Sequence, residues 1–135
     1  MEKCLFLSDE WVCRSMPAIN SNEKYRRAAR HLTDSVSFRV IGKHPAAGDD
    51  PETFFFLDLK NGECVEASKA KRDADYRLTA KFQVWKDVML GRTDVIRAIV
   101  KGQISMRGNM LRLMRNAKAV YLLVGCFQSI PTRFE

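Results

Sequence analysis

The sequence predicts an α+β domain built on a single five-stranded sheet, and three observations carry that prediction. Period-two alternation recurs in short segments, as at Val36, Phe38 and Val40 against Ser37, Arg39 and Ile41. Asn61-Gly62 joins two such segments, and a two-residue type I′ hairpin needs positive φ at both of its central positions. Segments with a helical period of three and four gather at both ends of the chain, segregated from the strands. The 135 residues are expected to form one domain, with 46% hydrophobic and 29% charged residues, values of a globular chain with a sizeable core.

In chain order, Ser8 with Asp9 and Glu10 is expected to open a first helix through Trp11 to Met16, because Ser caps and acids suit the N-terminal dipole. Asn20-Ser21-Asn22 ends it. Asn20 with Glu23 resembles a capping box for a second helix over residues 23–32, with Tyr25, Ala28, Ala29 and Leu32 on one side and Arg26, Arg27 and Arg30 solvated. Residues 35–41 form a strand, and 43–52, with two prolines and Gly48-Asp49-Asp50, a loop. Residues 53–60 contain Phe54-Phe55-Phe56-Leu57, apolar on both faces, and predict a central strand covered on both sides. The return strand 63–69 is nearer an edge, and Lys69, Lys71 and Arg72 follow in a solvated turn.

Residues 76–81 form a fourth strand, with Tyr76, Leu78 and Ala80 on one face and Arg77 and Thr79 on the other. A helix follows from Phe82, with Trp85, Val88 and Met89 on its apolar face and Gly91 at its C-cap. Thr93 caps a short helix carrying Val95, Ile96, Ile99 and Val100, ended by Gly102. A fifth strand spans 103–107, with Ile104 and Met106 on one face. Gly108-Asn109 leads into one long last helix, ended by Gly125 and Pro131, whose stripe is Met110, Leu113, Met114, Ala117, Val120, Tyr121 and Val124. From Val120 to Val124 that helix is apolar all round, and such an end must be buried. It packs inside the chain, lids a cavity, touches a membrane, or meets a second copy or a partner enzyme.

Charge is placed unevenly. Residues 1–94 hold 16 bases and 15 acids, whereas residues 95–135 hold seven bases and one acid, Glu135. The asymmetry predicts one positive face toward an anionic membrane, an acyl-coenzyme or nucleic acid. Nucleic acid is the weakest of these, because the bases are not interleaved with exposed aromatics and no binding motif is present.

No enzyme constellation is found: there is no GxSxG, P-loop or HExxH. His31 and His44 have no Cys or acid at ligand spacing, and Cys4, Cys13, Cys64 and Cys126 form no CxxC pair, so no metal site and no cofactor are expected. No run of about eighteen apolar residues and no secretion signal is seen, and a cytoplasmic protein is expected. A surplus of soft apolar residues remains in the C-terminal half, with Met89, Met106, Met110 and Met114 beside Phe82, Trp85, Ile96, Ile99, Val100 and Tyr121. They either pack as core or surround a cavity between sheet and helices, since Met adapts to varied apolar ligands.

Three segments resemble the sterol carrier protein 2 (SCP2) domain family: Ala74-Asp75-Tyr76-Arg77-Leu78-Thr79, then Phe82 through Gly91, then Ile99 through Met110 with its Lys101-Gly102-Gln103 and Gly108-Asn109 steps. The strands at 36–42 and 54–62 fit more loosely, and Ser8-Asp9-Glu10-Trp11 with the 23–30 helix is similar to free-standing microbial members. The resemblance implies a twisted five-stranded sheet with helices on one side and an apolar tunnel between them. It implies non-enzymatic binding or transfer of a fatty acid, fatty acyl-CoA, or sterol-like or isoprenoid lipid. Members also serve as accessory modules of larger enzymes and of quinone-synthesis assemblies. Carried onto this sequence, the tunnel wall would include Phe82, Trp85, Met89, Ile96, Ile99, Val100, Ile104, Met106, Met110, Leu113, Met114, Ala117 and Tyr121. Arg107, Arg112, Arg115 and Lys118 are the expected head-group or membrane contacts. The segment at 120–124 is oilier than a plain lid requires, and the C-terminus is not a peroxisomal address.

Overall fold

The computed structural model describes residues 2–135. Its centre is a five-stranded mixed sheet formed by β2 (Thr33–Ile41), β3 (Glu52–Lys60), β4 (Glu63–Ser68), β5 (Tyr76–Lys81) and β6 (Ser105–Arg107), in the order β4-β3-β2-β5-β6. β2 pairs antiparallel with β3 and parallel with β5. Asn61 and Gly62 both have positive φ (53° and 82°), as a type I′ hairpin between β3 and β4 requires. Val36, Phe38 and Val40 of β2 share a face with Phe55 and Leu57 of β3 and with Tyr76, Leu78 and Ala80 of β5, and all eight are buried.

Six helices cover that face and the sheet edges: α1 (Asp9–Asn20), α2 (Glu23–Ala28), α3 (Phe82–Met89), α4 (Val95–Val100), α5 (Met110–Arg115) and α6 (Ala117–Gln128). Ser8 caps α1 by accepting from the Trp11 amide, and the helix tolerates Pro17 in its interior. Trp11 is fully buried and its Nε1 donates to Thr132 Oγ1 at 3.1 Å. Around it Phe6, Phe55 and Phe127 lie with ring centroids 4.9, 5.8 and 5.5 Å away. Phe38 stacks on Phe55 at 4.2 Å and meets Trp85 edge-on at 5.7 Å. This aromatic cluster holds α1, α3 and α6 to the sheet, since edge-on and offset rings add to the area they bury.

Several local expectations change. Asn22, not Asn20, caps α2, while Asn20 clamps the backbone of Cys64 in β4, accepting from its amide at 2.7 Å and donating to its carbonyl at 3.0 Å. Asp94, not Thr93, caps α4. A two-stranded parallel sheet of β1 (Cys4–Leu5) and β7 (Thr132–Arg133) ties the two ends of the chain together. The last helix is two helices, broken at Asn116, and Gly125 lies inside α6 rather than at its end. Strand β3 is central, but its second face has no helix over it. Phe54 and Phe56 lie instead beneath Lys71 and Arg72, whose charged groups sit 5.3 and 4.1 Å from the two ring centroids. No helix is long and apolar enough to cross a membrane among the described residues.

Candidate functional site: an apolar cavity under the last two helices

Between the sheet and the helices lies a cavity of about 100 Å³. Val36, Phe38, Leu59, Tyr76 and Leu78 form its floor, because strand alternation sends these side chains to the helical face. Trp85, Val88 and Met89 of α3 and Val95 and Ile99 of α4 form one wall. Leu113 of α5 and Ala119, Val120, Leu123, Val124 and Phe127 of α6 form the roof.

The polar side chains of the lining gather beside α5. Arg112 Nη2 lies 3.3 Å from Asp34 Oδ2, a pair whose arginine is exposed and whose aspartate is half-buried. Asn116 Nδ2 donates to the Arg112 carbonyl at 2.8 Å, and Tyr76 Oη donates to the Asn109 carbonyl at 3.4 Å. Burial, then the Asp34 charge, raises the Tyr76 phenol above its ordinary value. Burial likewise raises the Tyr25 phenol, another residue of the lining. The arrangement is an apolar pocket with one charged rim, at the mouth that α5 covers.

The structure distributes the sequence-predicted residues unevenly. Trp85, Met89, Ile99 and Leu113 line the cavity, and Arg112 stands at its rim. The other nine expected wall residues lie outside it. Phe82 stacks on His44 with centroids 4.8 Å apart. Ile104 is buried in the core and Ile96 packs against it half-buried. Met106 sits opposite Leu78 at the β6 edge. Val100 is 67% exposed and Met110 41%. Met114 and Ala117 are half-buried, and Tyr121 faces solvent with its hydroxyl donating to Asp94 Oδ1 at 2.7 Å. Of the bases, Arg115 and Lys118 are exposed outside the lining, and Arg107 lies on the opposite, helix-free face of the sheet. The seven C-terminal bases therefore do not form one positive face.

The break at Asn116 accounts for two of the nine, Ala117 and Tyr121. A straight helix would carry the stripe through Ala117 and Tyr121. After the break, the inward face of α6 is Ala119, Val120, Leu123, Val124 and Phe127. Three residues of the all-apolar 120–124 segment thus turn into the cavity, yet Val120, Leu122, Leu123 and Val124 are only half-buried and Tyr121 is exposed. The floor residues carried a signal in the strand alternation, whereas Ala119 carried none.

Outside the lining, burial pushes the Cys64 and Cys126 thiols up to about 11, so neither is a thiolate at neutral pH. Among the described residues no group of three His, Cys, Asp or Glu side chains is placed to hold a metal ion.

A five-stranded sheet roofed by helices over an apolar, rim-charged cavity defines a small-ligand binding domain of α+β class. The chain belongs to the SCP-2 sterol transfer family, which matches residues 18–120. It is similar to a sterol carrier protein 2 of known structure, at 26% identity and TM-score 0.85, covering 93% of this chain and 98% of that one. A conserved hypothetical protein of Thermus thermophilus shares the fold at 22% identity and TM-score 0.83, covering 99% and 96%. So does the Aedes aegypti sterol carrier protein 2 in complex with the C16 fatty acid palmitate, at 15% identity and TM-score 0.58, covering 91% and 98%. Among curated proteins nothing matches significantly.

Proposed function

We propose that this chain binds one lipid with an anionic head, such as a fatty acid, and carries it without changing it chemically. The observation that supports this most is the separation within one cavity, apolar throughout except for the Asp34–Arg112 pair and its neighbours beside α5. The tail would lie over Phe38, Leu78 and Ile99, and the head would take Arg112 from Asp34. The family and the palmitate complex of the Aedes aegypti protein support the same ligand class.

Size defines what must move. A cavity of about 100 Å³ is smaller than the ~150 Å³ cavity that admits benzene. A long acyl chain therefore needs the roof to lift. α5 is the part suited to it, since only Leu113 of its six residues is buried and the Asn116 break separates it from α6. About fourteen buried methylenes supply ~11 kcal/mol gross. Subtracting an association cost of ~4 kcal/mol leaves ~7 kcal/mol, a low-micromolar dissociation constant.

Delipidated protein titrated with a fluorescent fatty acid, then with unlabelled palmitate, tests the reading. Arg112→Gln is expected to weaken palmitate several-fold while leaving the uncharged C16 alcohol unchanged. Native mass spectra showing only ligand-free protein, together with no displacement of the probe, would sink the proposal.

A further inference from the structure

The helix-free face of the sheet carries a second depression, of about 430 Å³, whose chemistry is the reverse of the first. The pairing register builds it from two rows. In one, Ser37 of β2 lies beside Arg77 of β5, which lies beside Arg107 of β6. In the next, Arg39 lies beside Thr79, which lies beside Ser105. Bases and hydroxyls therefore interleave over three adjacent strands. Lys71 and Arg72, held over the rings of Phe54 and Phe56, close one side.

Five bases line this depression against one carboxylate, Glu52. Three of the bases have partners: Arg39 pairs with Glu52, Arg72 with Glu66 and Arg77 with Asp73. Two more carboxylates, Asp58 and Asp75, flank Ser35 one step further along the same face. Lys71 and Arg107 have no carboxylate within 4.0 Å among the described residues. The Nε of Arg39 is buried with no hydrogen-bond partner. Among the described residues the side-chain hydroxyls of Ser37, Thr79 and Ser105, all in the lining, have no hydrogen-bond partner.

Like charges directly opposite on neighbouring strands repel, as Arg77 and Arg107 do here. An orphaned guanidinium nitrogen is a further cost. A bound anion relieves both. Arg39 and Arg107 stand two strands apart and two residues apart along the strands, so with a strand spacing of about 4.8 Å and a rise of about 3.3 Å per residue their stems are separated by roughly 12 Å. Long arginine side chains reach inward across that gap, and two linked phosphates offer separate oxygens to the bases at its two ends where a single phosphate offers one cluster. The guanidinium fork matches phosphate oxygens in pairs, and the hydroxyls supply the remaining donors.

We infer that this face is a binding site for a diphosphate group, with Arg39, Arg77 and Arg107 as its principal contacts and Ser37, Thr79 and Ser105 as secondary donors. The site is concave, with the 69–75 segment on one flank, which suits a small soluble ligand over a flat bilayer. It is independent of the lipid cavity, because it uses the outward residues of strands whose inward residues floor that cavity.

Calorimetric titration of the delipidated protein with sodium pyrophosphate at low salt tests the site without any lipid. Pyrophosphate is expected to bind at least tenfold tighter than inorganic phosphate. Arg107→Gln, which loses no ion pair, and Arg39→Gln are each expected to weaken it tenfold or more with Tm retained. Lys101→Gln, exposed at the C-terminal cap of α4, should change nothing. Absence of pyrophosphate binding overturns the inference, as does an equal loss in Lys101→Gln, which would mean non-specific charge. Sedimentation with phosphatidylglycerol vesicles that pyrophosphate does not displace, but Arg107→Gln abolishes, also overturns it and assigns the face to a membrane.

Discussion

Ala119→Leu sets stability against function at a single position. Ala119 is buried on the inward face of α6, and its methyl group borders the cavity. Leu adds three carbon groups, worth ~2.4 kcal/mol if all become buried in space that is now empty. An independent route gives the same size: cavities cost about 24 cal/mol per Å³, so filling about 100 Å³ recovers ~2.4 kcal/mol. Imperfect fit removes ~1 kcal/mol or more. The delipidated variant is therefore expected to be more stable by ~1 kcal/mol, with a Tm raised by several degrees, and to lose fatty-acid binding. Urea or thermal unfolding of lipid-free protein reads the first quantity, and displacement of a fluorescent fatty acid reads the second. A stabilised variant that still binds fatty acid would show that the ligand does not use this cavity. A destabilised variant with binding intact would show that the space beside Ala119 is not there.

Two glycines predict opposite outcomes. Gly125→Ala in the interior of α6, where an added Cβ meets nothing within 4 Å, is expected to stabilise by ~0.5–1 kcal/mol in chemical denaturation. Gly62→Ala, at φ 82° and with its Cβ 2.4 Å from the Arg26 carbonyl oxygen, is expected to cost more than 1 kcal/mol in the same measurement. His44 sets a pH dependence: burial, then the nearby Lys69 charge, holds its imidazole below the ordinary 6.5, so the unfolded chain takes up the proton first. Its contribution is fully present above pH 6.5 and is lost as pH falls through the depressed folded value. Urea midpoints should therefore drop between pH 7.5 and 5, and His44→Gln should flatten that drop. Glu66 and Asp94, held below ordinary values of 4.5 and 3.8 mainly by hydrogen bonds from Arg72 and Tyr121, titrate below this window.

The sheet was largely legible because alternation and Asn61-Gly62 are local signals. β1 and β7 were not, since two-residue strands carry no period and their pairing joins residues 128 apart, Cys4 with Thr132 and Leu5 with Arg133. The Asn116 break was hidden for a related reason. Neither Gly nor Pro marks it: Asn116 keeps its backbone bond to the Arg112 carbonyl at 3.2 Å, adds a side-chain bond to the same oxygen at 2.8 Å, and leaves helical geometry (φ −110°, ψ 29°). Missing the break put Ala117 and Tyr121 on the wall and left Ala119, Leu123 and Phe127 off it. Arg107 follows strand alternation, on the face opposite Ile104 and Met106, and so lies across the sheet from Arg112 although the two are close in sequence. Tyr25 reaches the cavity only through tertiary packing, which no local pattern reports.

The two sites meet at β2, where Val36 and Phe38 point into the cavity and Ser37 and Arg39 point away from it. That geometry decides whether they communicate. Coupling between sites requires an element with two arrangements that both ligands bias. A lipid entering under α5 displaces a short, weakly buried helix and leaves the floor strands in register, because each is hydrogen-bonded to neighbours on both sides. A diphosphate on the other face touches only sheet residues and the 69–75 segment, none of which contributes to the α5–α6 roof. The sheet thus transmits position but no displacement. The affinity for palmitate is therefore expected to be the same within twofold at zero and at saturating pyrophosphate, and a larger change would mean that the floor of the cavity moves when the lipid enters.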